Sequence, residues 1–210
     1  MGLTRISKIR RQELRRAAYE VLQKEGMAGA TIEKVAQKAG ASKGIVLHYF
    51  KTKQKLFEDT MRYANVLVRD EVVERMRRAR TADQRLWAII EGNFSVEFFT
   101  PSICHAWLAL CAEVPRESEL ARIQRVVHAR MRSNLLTALT MLVQQDQREE
   151  VALGVSALID GLWLRLGLRS DEMSAPDALK QMADYLNYRI PDIDWNDHLR
   201  RSDRARRQTG

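Results

Sequence analysis

The stretch "ATIEKVAQKAGASKGIVLHYFKTKQKLFEDTM", Ala30 to Met61, decides the fold. Thr31 is a good N-cap for a helix carrying Ile32, Val35, Ala36 and Ala39 at helical spacing. Gly40 ends that helix, and Ser42 caps another, very short one through about Tyr49. Only "GAS" separates the two, so they read as a helix-turn-helix. Ala36 and Gly40 are small where the helices must approach closely, and Ile45 is apolar where the third helix must lock onto the core. Upstream, Leu14, Ala18, Val21 and Leu22 mark a first helix that stops at Gly26. Downstream, Thr52 caps a fourth with Leu56, Phe57 and Met61, running into the seventies.

In a helix-turn-helix the second helix enters the major groove while the first crosses the backbone. The reading positions would be Lys43, Gly44, Leu47 and His48. A lysine reaches guanine O6 or N7, His48 meets a base or a phosphate, and Gly44 allows close approach. Thr31, Ser42, Tyr49, Lys53 and Lys55 suit phosphate clamps that set the register. Charge supports this. Residues 1–55 hold thirteen Lys/Arg against four Glu, a net +9. The whole chain carries +8, so the remainder sums to −1. A solvated helix face is seldom so lopsided, whereas a phosphate-facing module is.

The rest of the 210 residues is rich in Ala, Leu, Arg, Glu and Gln, poor in Gly and Pro, and shows no convincing strand alternation. Breaks between helices fall at "RARTADQR" (Arg78–Arg85), "TPS" (Thr100–Ser102), "EVPRES" (Glu113–Ser118), "QQDQREE" (Gln144–Glu150) and "RSDEMSAPD" (Arg169–Asp177). The expected fold is all-α. Residues 1–55 form the DNA-binding domain, 56–190 a helical ligand-binding and dimerisation domain, and 191–210 a basic, frayed tail. "VALGVSALIDGLWLRLGL" (Val151–Leu168) is interrupted by Asp160 and Arg165, so it reads as a buried helix and no membrane partner is expected. The start lacks an apolar signal region, and Cys104 and Cys111 are poorly placed to bridge each other, so a reducing cytoplasm is expected.

The quoted stretch resembles the DNA-binding domain of the TetR family of bacterial transcriptional repressors. The likeness covers about residues 8–61 and runs through T-x-x-x-[IV]-A-x-x-A-G-x-S-x-G, then H-Y-F-x-x-K, from Thr31 to Lys53. It implies that Tyr49 and Lys53 contact phosphates. Leu47 departs from it, because the family commonly has Tyr there. "HAWLALCAEV" (His105–Val114) and "SALIDGLWLRLGL" (Ser156–Leu168) are similar to the choline-responsive BetI branch, a body type shared with regulators that answer to other inducers.

Two surfaces follow in the second half. Gly154, Ala157 and Gly161 make one small-residue face. With a stripe of Leu179, Met182 and Leu186 it points to a four-helix bundle with a twin chain, or to packing within one chain. Trp107 and Trp163 with Glu113 and Asp160 would suit a cationic inducer, or the tryptophans simply fill the core. Cys104, His105, Cys111 and His128 lack zinc spacing and a nucleophile's orienting group, so no cofactor, metal or enzymatic activity is expected. The reading is a homodimeric, ligand-responsive repressor of a palindromic operator. Its rivals are a constitutive nucleoid-type binder and a small helical enzyme using Cys104 and His105.

Overall fold

The computed structural model describes residues 5–168 and 173–209, with side chains as far as Arg204. Residues 169–172 of the last expected break lie outside the described residues. Among the described residues ten helices follow in order: α1 (Arg5–Gly29), α2 (Ile32–Lys38), α3 (Lys43–Phe50), α4 (Lys53–Arg78), α5 (Ala82–Asn93), α6 (Pro101–Glu113), α7 (Ser118–Leu139), α8 (Arg148–Gly167), α9 (Ala175–Arg189) and α10 (Trp195–Thr209). No strand occurs among the described residues. The chain divides into two compact units. One holds residues up to Leu67 with Ser102–Arg125, and the other Val68–Pro101 with Val126 onward. The boundary expected at residue 55 therefore falls inside α4, whose first part belongs with the helix-turn-helix.

In the first unit the turn after α2 is built from backbone hydrogen bonds. Ala41 N donates to Ala36 O at 2.9 Å and Gly40 N to Gln37 O at 3.2 Å. This pairing needs a left-handed residue between, and Gly40 supplies it with φ 56°. Gly26 breaks α1 in the same way, with φ 64° and ψ −175°, and one further turn follows to Gly29. Val46 and Phe50 anchor α3 in the core, while Ile45, expected to do so, is exposed. On an eight-residue helix only one stripe can face α1 and α2, and Val46 and Phe50, four apart, are that stripe. Leu14, Ala18, Leu22, Val35, Leu56 and Phe57 complete this core with Cys104 and Leu110 of α6. Arg11 ties α1 to it: its guanidinium lies 5.2 Å from the Phe50 ring centre, and its Nε bonds Asp59 Oδ2 at 3.2 Å.

The second unit buries Ile89, Ile90, Phe94, Val155, Ile159 and Leu166 around α9. Leu179, Met182 and Leu186 are each 0% exposed within the single chain. They are core, not the pairing stripe expected of them, because α9 packs on α5, α8 and α10. Gly154 is also an internal contact: a Cβ there would lie 1.9 Å from Tyr185 Oη of α9. Ala157 is exposed, and a Cβ on Gly161 would meet nothing within 4 Å.

The tail expected to fray is instead a docked helix. Trp195, 0% exposed, donates from Nε1 to Ile190 O at 3.1 Å. His198 stacks on Trp195 and places Nε2 3.0 Å from Asp83 Oδ2. Ser202 accepts from Trp87 Nε1 at 2.9 Å. The stretch reads as basic and weakly apolar, but Trp195, His198 and Ser202 recur at helical spacing and supply one buried stripe.

Candidate nucleic-acid interface and ligand residues

The expected clamps divide by what their side chains already do. Thr31 Oγ1 accepts from Lys34 N at 3.2 Å, and Ser42 Oγ accepts from Ile45 N at 3.3 Å. Thr52 Oγ1 does the same for Lys55 N at 3.1 Å. Each hydroxyl is thus held at the start of a helix by accepting from a backbone N–H, and the Thr31 hydroxyl also bonds the Glu33 carboxylate. The chain turns from α3 into α4 at Lys51, where φ is 65° and Thr52 N donates to Phe50 O at 2.7 Å. That three-residue γ-turn carries a lysine in a region glycine favours. Nothing in the local pattern signals it.

The lysines are engaged within the chain. Lys43 Nζ lies 2.5 Å from Glu33 Oε1 of α2, with both side chains well exposed. A hydrogen bond from Lys43 holds the Glu33 carboxyl below its usual range. An exposed pair of this kind contributes little and is readily exchanged for another anion. Lys55 Nζ donates to both oxygens of Glu58, at 3.1 and 2.8 Å, and the Glu58 side chain is only 1% exposed. Lys53 Nζ sits 5.4 Å from the centre of the Phe57 ring. On α3, Gly44 and His48 are exposed and Leu47 and Tyr49 half-buried, with the His48 and Tyr49 rings edge to face at 5.4 Å. Arg10, which local reasoning passed over, reaches the turn itself, donating to Gly40 O at 3.3 Å.

The four expected ligand residues are shared between the units. Trp107 and Glu113 lie on α6 in the first. Trp107 is half-buried. Glu113 lines a cavity of about 300 Å³ with Met27, Lys53, Gln54, Phe57, Glu117 and Leu120. Asp160 and Trp163 lie on α8 in the second unit. Trp163 is 6% exposed, donates from Nε1 to Asn93 O at 3.0 Å, and meets Phe99 edge to face. It serves as core, the second of the two roles open to it. Asp160 keeps a half-exposed side chain, 3.7 Å from His128 Nε2. Partial burial pushes its carboxyl above the usual range, against the pull of His128.

Residues 14–60 match the profile of bacterial regulatory proteins of the tetR family, and residues 82–191 that of the C-terminal domain of BetI-type transcriptional repressors. The HTH-type transcriptional regulator BetI of Escherichia coli (strain SE11) is 37% identical over 185 residues, spanning 87% of this chain and 95% of that protein. The chain belongs to the TetR family. It is a DNA-binding transcriptional repressor by family, with a helix-turn-helix and a BetI-type C-terminal domain. The BetI of Shigella flexneri serotype 5b (strain 8401) is equally similar, 37% identical over the same shares. Among solved structures, a transcriptional regulator from Rhodococcus sp. Rha1 superposes with a TM-score of 0.77 at 22% identity, covering 88% of this chain and 97% of that one. A putative transcriptional regulator from Saccharomonospora viridis, solved in complex with choline, superposes with a TM-score of 0.78 at 18% identity, covering 87% and 98%. Both share the TetR fold. The TetR match contains every expected DNA contact, since all lie between Thr31 and Lys55, and the BetI-type match ends before α10 begins. No helix among the described residues is long and apolar enough to cross a membrane.

Proposed function

We propose that this chain acts in the cytoplasm as a homodimeric repressor of a palindromic operator, released by a small-molecule inducer of the cationic class that includes choline. The observation that carries the DNA reading is α3 itself. Lys43, Gly44 and His48 stand exposed on a short helix whose opposite stripe, Val46 and Phe50, anchors it rigidly. Ser42, Tyr49, Lys53 and Lys55 surround it as phosphate contacts. Twofold pairing would present two such helices to half-sites about 34–36 Å apart. Its support is on α8, where Leu153, Ala157, Leu164 and Leu168 are exposed at helical spacing with Gly161 among them. This stripe replaces the partly internal face read from Gly154 and the α9 residues.

A cationic inducer is favoured by the half-exposed carboxylate of Asp160, by Glu113 in its cavity, and by the choline held in the Saccharomonospora viridis relative. Release follows from differential affinity: an inducer that prefers a form with unsuitable half-site spacing depletes the form that docks both helices. α4 contributes to both units and is the natural lever. The test starts from operators selected out of a random duplex pool. Choline, betaine aldehyde and unrelated lipophilic cations are then titrated into the complex. Release by choline at a concentration where it binds the free protein supports the reading. If every ligand that binds leaves the complex intact, the reading fails. Release by an unrelated lipophile alone would place the chain in another pathway under the same mechanism.

A further inference from the structure

Between Glu25 and Glu58 the chain holds six lysines, and Glu33 is the single acid among them. A carboxylate on a phosphate-facing surface works against docking, so its place there calls for a reason. Glu33 lies in the first turn of α2, where a negative charge suits the positive end of the helix. That accounts for the charge but not for what it touches. The α2 lysines turn back to α1, with Lys34 Nζ 2.8 Å from Glu25 Oε2 and Lys38 Nζ 2.8 Å from Glu20 Oε2. Glu33 reaches the other way, across the turn, to Lys43 Nζ at 2.5 Å. Its carboxylate is itself held, because its own backbone N–H and the Thr31 hydroxyl bond it as well. One acid thus joins the starts of both helices of the motif, Thr31 capping α2 and Lys43 opening α3.

We propose that Glu33 is a positioning residue that determines base specificity, by holding the Lys43 ammonium where it reads a guanine edge. Glu33 acts through Lys43, so this role rests on α3 being the reading helix, as above. A lysine ammonium has three N–H donors. One stays with Glu33, and two remain for guanine O6 and N7. Without that tether the flexible four-carbon stem swings to the nearest phosphate, a contact that carries no sequence information. With it, a duplex lacking the guanine gains the ammonium only by taking it from Glu33. The carboxylate is then left unpaired beside the DNA backbone that α2 crosses. The cost falls on the wrong sequence and spares the right one, so discrimination widens.

The test uses the full-length protein, with operators selected from a random duplex pool separately for wild type, Lys43→Ala, Glu33→Gln and Glu33→Ala. Lys43→Ala and both Glu33 variants should lose preference at the same base pair. In anisotropy titrations at fixed salt, the ratio of operator to mixed-sequence affinity should fall about fivefold or more in each Glu33 variant, a share of what one bidentate base contact supplies. In a Lys43→Ala background, Glu33→Gln should change that ratio no further. Glu33 variants that weaken both duplexes alike and keep the ratio reveal a helix-end charge alone, and overturn the proposal. A further fall of the ratio in the Lys43→Ala background, or preference lost at a different base pair, overturns it too. Lys43→Ala relaxing one base pair while Glu33→Gln relaxes none sinks the role of Glu33 and leaves the reading of α3 standing. Lys43→Ala that relaxes no base pair removes that reading, and the role of Glu33 with it.

Discussion

Lys53 and Lys55 are two residues apart, yet their surroundings give them different work. Lys55 neutralises a carboxylate that has almost no contact with water, so Lys55→Ala strands the Glu58 charge in the core. We expect a loss of about 1–3 kcal/mol in stability, read as a lower urea midpoint. Lys53→Ala should leave that midpoint alone and weaken every duplex alike. The slope of log K against log salt should then flatten by about 0.9, because one phosphate fewer is neutralised. Lys43→Ala should instead relax base preference, seen as a smaller affinity ratio between the selected operator and mixed-sequence DNA. Two aspartates carry pH signatures of opposite sign. The Asp160 carboxyl is raised by burial, so the folded chain binds its proton more readily than the unfolded one and stability falls as pH rises through that range. Asp160→Asn should therefore raise the thermal midpoint at neutral pH, with the gain shrinking on acidification. Burial pushes the Asp83 carboxyl up as well, but hydrogen bonds from Thr81, its own backbone and His198 outweigh it and hold the group below its ordinary value. Its stabilisation is present above about pH 4 and is lost on further acidification. Asp83→Asn should lower the midpoint at neutral pH and have a fading effect in acid.

Among the elements, α10 is the one whose role departs most from its composition. Its Trp195 is enclosed by the second unit, and Trp195→Ala should cost about 3–5 kcal/mol through the burial forfeited and the cavity left behind. A tail that merely frayed would show no change in the denaturation midpoint. The α4–α5 approach within the second unit is equally close. A Cβ on Gly92 would stand 2.8 Å from Val72 Cα, which is backbone and cannot swing aside. Gly92→Ala should cost about 1–3 kcal/mol through overpacking, despite alanine's better helix propensity. Both measurements are urea titrations. α3 shows the complementary case. Its N-cap and its length follow from "SKGIVLHYF", but Ile45 does not seat it as the pattern suggests, because on so short a helix adjacent positions compete for the single buried stripe.

For the whole molecule the surface proposed for pairing is the exposed stripe of α8. Leu164→Glu should shift the protein toward monomer in sedimentation, lower affinity for a two-half-site operator, and spare binding to nonspecific DNA. A chain that stays dimeric with Leu164→Glu, and equally with Leu153→Glu, would move the pairing surface elsewhere. Much of the molecule is legible in its residues alone. The breaks at 78–85, 113–118 and 144–150, the helix-turn-helix and the concentration of positive charge in residues 1–55 all rest on residue type and spacing over short stretches, whereas the break expected at 100–102 lies at 94–100, with Pro101 opening α6. Caps, left-handed glycines and helical periodicity are local physics, so residue order alone specified α1 to α9 in their order and the end of the chain that meets DNA, but not α10, which reads as a frayed tail. It did not determine which face meets which partner. The α9 stripe became core because α10 folds back, through contacts such as Trp87 to Ser202, 115 positions apart. Lys53 and Glu113, assigned separately to DNA and to ligand, line one cavity. Burial and pairing of that kind depend on where distant segments pack, and a periodic stripe looks the same whether its partner is the same chain, a second chain or water.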